Sequence, residues 1–449
     1  MSFQVVVLWS DALLFALISA VGALAFWARG EDALRAAWGR VLRDGAAMSA
    51  ATVLAVFVLV GLLDSLHYRT RLDSAPGAPV RYAVEVNSAL DLLLVDLRQK
   101  TEKTYSAPLA THLFAKEAVG DGAERDFPRL RHGGRHLGDD FAARPGDIAR
   151  RILLGAGAGL ALWLLLHAVL RRSTPAARGI ALRAVSLTLL PVLLLAGTGI
   201  ALAGGYHVFG TDKVGQDVLY LSLKSIRTGL LIGTLTTLVM LPLAVLLGIL
   251  AGYVGGWVDD LIQYLYTTLS SIPGVLLIAA AVLMMQVVID THPQWFATSA
   301  ERADARLLAL CLILGMTSWT GVARLLRGET LKLRELEYVQ AAQAFGVGRL
   351  AIMGRHILPN LMHIVLIALV MDFSGLVLAE AVLSYVGVGV DPSTISFGTM
   401  INTARMELAR EPMVWWSLLA AFGFMFALVL AANLFADAVR DAFDPRVAS

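Results

Sequence analysis

The 449-residue chain is 57% hydrophobic and only 16% charged, with a mean hydropathy of +0.69, a balance that excludes a soluble globular protein. A net charge of +2 is too small to suggest a nucleic-acid partner, and the basic residues cluster by loop. The single cysteine, Cys311, lies in an apolar stretch, which excludes an intramolecular disulfide and any cysteine-based metal site. The composition predicts an all-α, polytopic membrane protein.

Val5 to Trp27 is apolar and long enough to cross roughly 30 Å of hydrocarbon. No Lys or Arg precedes it, so it reads as an uncleaved span rather than a signal peptide. A charged linker, Arg29 to Asp44, leads to a second, alanine-rich span at Ala46–Leu63, and residues 1–63 form an N-terminal membrane extension. Residues 64–150 break the pattern with Pro76, Pro79, Pro108 and Pro128 and with charges of both signs. They are expected to form a small extramembranous insert with helices near Asn87–Lys103 and Leu109–Val119. The first carries an apolar stripe of Leu90, Leu93, Leu94 and Leu97. The basic tract Arg125–His136 reads as a solvated loop in preference to a docking surface for a partner or lipid. Glycines between His132 and His136 argue against a helical metal pair, and no metal site is predicted. The third span, Ile152–Leu170, is followed by Arg171, Arg172, Arg178 and Arg183 with no acid among them, so residues 151–183 end in a cytoplasmic loop.

Ala184–Ala203 is the fourth span. In the turn that follows, Thr211 and Asp212 offer capping side chains, and Gly210 and Gly215 permit tight backbone geometry. The fifth span, Ser225–Tyr253, contains Pro242 and places Gly248 and Gly252 four apart, a face for close helix packing. The sixth, Leu261–Ile289, contains Ser270, Ser271 and Pro273, which read equally as residues lining a path and as packing around a helix kink. After a short outer loop at Thr291–Ala305 comes the seventh span, Arg306–Leu325. The eighth, Leu361–Val382, holds two carboxylates, which are costly in a membrane and usually face a bundle interior or cavity. Asp372, near mid-span, is the first choice for a path residue; Glu380, nearer the outer end, reads more readily as packing. An outer loop at Gly398–Pro412 with a short amphipathic helix precedes the ninth span, Met413–Ala436.

Between spans seven and eight, residues 324–360 carry Arg324, Arg327, Lys332, Arg334, Arg349 and Arg355 against Glu329, Glu335 and Glu337. This basic excess places the loop in the cytoplasm. Leu336, Val339, Ala342 and Phe345 recur on one helical face, Gly346 and Gly348 stop that helix, and a second short helix, Arg349–Ile357, is expected to close at Pro359.

Gln340-Ala341-Ala342, the spaced Gly346 and Leu358-Pro359 resemble the coupling-loop motif of ABC importer permeases. The surrounding sequence is similar to the second permease of dipeptide, oligopeptide and nickel importers. Gln340 stands where that pattern usually has glutamate, and Glu337 lies about one turn upstream. The resemblance covers residues 184–449, implying a type I permease core of six spans out of about nine. Within it Gly210, Thr211, Asp212, Gly215 and Asp217 resemble an extracytoplasmic signature, and Asp444-Pro445-Arg446 resembles the family's ending. It implies a sister permease in a heterodimer, two ATP-binding subunits that hold ATP and Mg, an extracytoplasmic solute-binding protein, and residence in a bacterial inner membrane. ATPase coupling would fall to Glu337, Gln340, Ala341, Ala342, Gly346, Leu358 and Pro359.

No G-x-x-x-x-G-K-[ST] or H-E-x-x-H pattern occurs, so energy is expected from partners rather than from catalysis by this chain. With the coupling loop inside, counting spans places the Arg171–Arg183 loop inside and the 64–150 insert outside. The competing reading is an ion- or proton-coupled secondary transporter using Asp372 and Glu380.

Overall fold

A computed structural model describes residues 3–28, 30, 32–72, 81–119, 124–138, 140–172 and 181–443. The chain starts as a strand, β1 (Phe3–Val6), then forms helices α1 (Trp9–Ala28), α2 (Asp32–Arg43) and α3 (Gly45–Ser65). The insert holds β2 (His67–Thr70), β3 (Asn87–Ser88), α4 (Ala89–Leu93), α5 (Val95–Gln99), β4 (Glu117–Val119) and β5 (Glu124–Asp126). Beyond it run α6 (Arg144–Arg172), α7 (Leu182–Ala203), α8 (Val218–Val254), α9 (Gly256–Ser271), α10 (Gly274–Thr291), α11 (Ser299–Ser318) and α12 (Thr320–Arg334). The last are α13 (Glu337–Ala344), α14 (Arg349–Ile352), α15 (Leu358–Val386), α16 (Phe397–Glu407) and α17 (Trp416–Phe443).

Among the described residues, 8 helical segments are long and apolar enough to cross a membrane, and α1 adds a shorter apolar stretch at Trp9–Ala23. The first expected span therefore begins later than Val5. Residues Phe3 to Val6 pair antiparallel with β2, which holds them extended. The sixth span also differs. Ile272 is extended at φ −89°, ψ 132°, as a residue before proline must be. The single helix expected over Leu261–Ile289 is therefore two, and Pro273 is the N-cap of α10 rather than a mid-span kink.

The chain divides into two compact units. One comprises Met1–Asp11, Glu31–Leu230 and Pro392–Phe435. Here Asp44 caps α3 by accepting from the Ala46 and Ala47 N–H groups at 2.6 and 3.1 Å. Helices α6 and α7 approach backbone to backbone: a Cβ on Gly155 would lie 2.4 Å from the Gly197 carbonyl oxygen, and one on Gly159 would lie 2.4 Å from that of Leu193. Small residues at this spacing are what bring membrane helices together. Ser186 fastens the same pair, its carbonyl accepting from Trp163 Nε1 at 2.7 Å and its hydroxyl bonding His167 Nδ1 at 2.7 Å. In the insert, the first expected helix is broken into α4 and α5, with a capping box between Ser88 and Asp91. The second is absent. Leu109 has φ +57°, and Leu113 N–H donates to the Pro128 carbonyl at 2.8 Å, so residues 109–119 run as turn and strand.

The other unit comprises Ala12–Gly30, Leu231–Asp391 and Ala436–Ser449. The glycine pair on α8 packs as its spacing implies, with a Cβ on Gly248 meeting the Ala323 carbonyl oxygen at 2.8 Å and one on Gly252 meeting Thr330 Cβ at 2.6 Å. A core around Met240, Ile249, Trp319, Leu326, Ile352 and Leu361 joins α8, α12, α14 and α15. The Asp444-Pro445-Arg446 ending and Arg178 lie outside the described residues.

Candidate functional site

The loop at 324–360 forms a compact elbow. Arg327 on α12 donates from Nε and Nη2 to both carboxylate oxygens of Asp259 on α9, at 2.6 and 2.7 Å, a bidentate geometry that fixes direction as well as distance. Helix α13 then turns Val339 (0% exposed) and Ala342 into the core with Ile352 and Ile357. Its other face is open. Glu337, Gln340, Ala341, Ala344 and Phe345 are all exposed and follow the i, i+3, i+4, i+7, i+8 spacing of one helical surface. Phe345 is 88% exposed and the neighbouring Leu350 80%. The expected apolar stripe is thus split, with Val339 and Ala342 inside while Leu336 and Phe345 face outward. Gln340 Nε2 reaches the Glu335 carbonyl at 3.3 Å.

Gly346 ends α13 with φ +78°. Its N–H donates to the Gln343 carbonyl at 3.0 Å and that of Val347 to the Ala342 carbonyl at 3.1 Å, a Schellman stop that needs a left-handed residue. Pro359 does not close a helix. The segment after α14 passes through a π turn at Met353–Ile357 straight into α15, where Pro359 occupies the first turn. There a missing N–H costs least, and the wider turn upstream makes room for the ring. Leu358 and Pro359 therefore shape the entry to α15, and the next residue, Asn360, donates from Nδ2 to the Tyr338 hydroxyl of α13 at 3.1 Å.

Of the path candidates, Asp372 is half-buried, and its Oδ2 has no hydrogen-bond partner among the described residues. Glu380 is 2% exposed and accepts from Ser384 Oγ at 2.7 Å. Ser270, Ser271 and Pro273 are exposed around the α9–α10 break, with Ser271 Oγ bonded to the Thr268 carbonyl at 2.7 Å.

The turn at 204–217 is more elaborate than its sequence suggests. Asp212 Oδ1 accepts from Val214 and Gln216 N–H at 2.9 and 2.8 Å. Asp217 Oδ1 caps α8 through Leu219 N–H at 2.9 Å. Thr211, 0% exposed, accepts from Ser106 N–H at 2.7 Å and donates to the Thr104 carbonyl at 2.9 Å. Gly210 and Gly215 have φ of +71° and +79°. The insert lies directly against both, since a Cβ there would strike the carbonyl oxygens of Ser106 and Glu102 at 2.3 and 1.9 Å.

At the centre His207 bridges Asp217 Oδ2 at 2.8 Å and Glu102 Oε1 at 3.2 Å, all three side chains 1% exposed. Glu102 further accepts from the N–H groups of Arg131, His132 and Gly133 at 2.8, 2.8 and 3.2 Å. The basic tract Arg125–His136 is therefore anchored through its backbone rather than being a free solvated loop. His136 instead bonds Asp147 at 2.6 Å, and the described residues hold no metal-ligand cluster. Burial pulls the His207 pKa down, but the hydrogen bonds to Asp217 and Glu102 outweigh it and raise the value to about 9. Burial likewise opposes the charge on Glu102, and the His207 and backbone donors override it, lowering its pKa to about 2.

Two cations on α8 complete this network. Lys224 Nζ meets Asp64 at 2.5 Å and Asp91 at 3.1 Å, and Arg227 meets Asp11 at 2.6 Å. Asp11 also holds His67 at 2.7 Å. Sequence reasoning missed these residues, although cations inside an apolar run could have prompted a search for partners.

Membrane-length helices with an exposed helical elbow define a multi-pass transport component. A family model, the inner membrane component of binding-protein-dependent transport systems, matches residues 244–449. The chain is 30% identical over 242 residues to the oligopeptide transport system permease protein OppC of Mycobacterium tuberculosis (strain H37Rv), covering 54% of this chain and 77% of that one. It is also 30% identical to OppC of Haemophilus influenzae, over 54% of this chain and 71% of that relative. Against the glutathione transport system permease protein GsiD of Pectobacterium atrosepticum the figures are 31%, 54% and 74%. The chain belongs to this family: it is a permease subunit of an ABC importer, a multi-pass protein of the inner membrane. The secondary-transporter reading is set aside accordingly.

Proposed function

We propose that this subunit forms, with a sister permease, the translocation path for peptides or similar small solutes, and that the 334–359 loop couples the path to ATP-binding subunits. The observation that carries the reading is the two-sided α13, with Val339 and Ala342 locked in the core and Glu337, Gln340, Ala341 and Phe345 open. Such a helix docks by laying its free face into a groove, and the bidentate Arg327–Asp259 pair passes its displacement to α12 and α9. Glu337, one turn before Gln340 on the open face, supplies the carboxylate that Gln340 lacks.

ATP and Mg belong to the partner subunits, and an extracytoplasmic solute-binding protein delivers the solute. The substrate class rests on the relatives named for oligopeptide and glutathione transport. Asp372 lines the path in this reading, because a carboxylate oxygen left without a partner in a span needs water or solute. The exposed break at Ser270–Pro273 requires cover by protein or by the aqueous path, and the sister permease provides it. Asp64, Asp91 and Glu102 support an integral extracytoplasmic insert, since they bind Lys224 and His207 beside the 204–217 turn. In the assembled importer, Ala341→Cys is expected to crosslink to a cysteine in the ATPase groove, with a yield that changes on ATP binding. Crosslinking from Ser270→Cys to that groove instead would overturn the assignment.

A further inference from the structure

The insert and the residues after α16 border an open concavity that the importer reading leaves unused. A cavity of about 980 Å³ opens between the extended segment 107–116, the Asp126–Phe127 corner, the start of α6 and the residues just after α16. Its apolar wall comes from Phe114 and Phe127, and its charged groups are Lys116, Arg144, Asp126 and Glu411. None of these four forms an ion pair with another described residue. Lys116 sits 5.5 Å over the Phe127 ring, and one oxygen of Asp126 accepts from Phe127 N–H at 2.8 Å. Two cations and two carboxylates thus share one concave space without neutralising each other. Lys116, Asp126 and Glu411 are exposed and Arg144 is half-buried, so both signs of charge are open to a ligand.

The floor of the cavity is tied to the 204–217 turn. Thr111 and Leu113 are buried in it, and the Leu130 N–H donates to the Thr111 carbonyl at 3.0 Å. Phe114 packs edge-on to Trp416 at 4.8 Å, and Trp416 Nε1 donates to the carbonyl of Thr211 in the 204–217 turn at 2.9 Å. An occupant would therefore press on the segment that fastens the insert to that turn.

We propose that this cavity is an accessory binding site for a short zwitterionic peptide. Its α-carboxylate meets Lys116 and Arg144, its α-ammonium meets Asp126 and Glu411, and its side chains lie on Phe114 and Phe127. The volume falls in the range of about 300–1,000 Å³ that encloses small ligands, which sets a limit of a few residues. A peptide is favoured over a loop of the binding protein because both signs of charge line one open concavity, the pattern of two free termini. The site rests on the peptide-importer reading for its ligand class, and its test separates the two.

The full-length chain in lipid nanodiscs is titrated calorimetrically with trialanine and with its N-acetylated, C-amidated form. Saturable binding of the free peptide is expected, with at least tenfold weaker binding of the blocked one. Lys116→Gln and Glu411→Gln, both at exposed positions, are each expected to weaken trialanine about tenfold, and the double variant more. Absence of saturable binding, or binding that both variants leave unchanged, overturns the proposal. If instead the variants weaken retention of the purified solute-binding protein and trialanine does not bind, the cavity is a docking surface and the peptide site is wrong. ATP-driven uptake by the assembled importer is measured alongside; its persistence when peptide binding fails leaves the importer reading intact.

Discussion

His207 stands between Asp217 and Glu102 with no solvent to share the charge, so its protonation state decides whether these buried contacts attract or repel. A pKa raised from 6.5 to about 9 means that its contribution is complete below 6.5 and is lost as pH rises through about 9. Glu102, lowered from 4.5 to about 2, contributes above 4.5 and loses that contribution as pH falls toward 2. The melting temperature of the purified chain is therefore expected to fall between pH 6.5 and 9.5. His207→Ala should remove that pH dependence while costing about 3–5 kcal/mol, the penalty for stranding buried carboxylates. An unchanged alkaline profile in the variant would show that other groups govern it. Asp372 gives a second expectation: Asp372→Ala alters uptake and leaves ATPase binding intact, checked by transport assay and co-purification. Asp372 drew notice in the sequence because a carboxylate in an apolar run is conspicuous. His207 and Glu102 were not, because their contact spans 105 residues and each looks ordinary in its own segment.

Elements follow hydropathy well where burial and membrane length decide, and poorly where single residues interrupt. Helices α3, α6, α7, α8, α15 and α17 fall where their apolar runs place them. The expected sixth span divides because Ile272 precedes Pro273, and the expected stop at Pro359 fails because a π turn absorbs the ring. Leu109–Val119 has helix-forming composition, yet its backbone is claimed by Pro128 and Tyr105, with Phe114 N–H donating to the Tyr105 carbonyl at 3.0 Å; tertiary pairing overrides propensity. The α13 stop is the element whose sequence and structure agree most directly. A Cβ at Gly346 meets nothing within 4 Å, so Gly346→Val acts through φ alone, at about 1–2 kcal/mol. That is enough to reorient Phe345 and Leu350 without unfolding the chain. The expected result is a membrane-inserted complex that hydrolyses ATP with uptake reduced at least tenfold, measured in proteoliposomes. Normal uptake would remove the coupling role from α13.

At the scale of the whole molecule, the residues added before the family region are integral rather than appended. Lys224 and Arg227 have side chains 14% and 12% exposed, and their acidic partners Asp11, Asp64 and Asp91 all come from the first 91 residues. Family resemblance made the C-terminal half legible from its motifs, whereas the ion pairs of residues 1–150 emerged only from contacts distant in sequence. The central claim is that this chain works as one permease of a multi-subunit, ATP-driven importer. Its most direct test is affinity purification of the tagged chain from native membranes, with companions identified by mass. Recovery of a second permease and two ATP-binding subunits is the predicted result. Recovery of this chain alone, stable and moving solute without ATP, would contradict it.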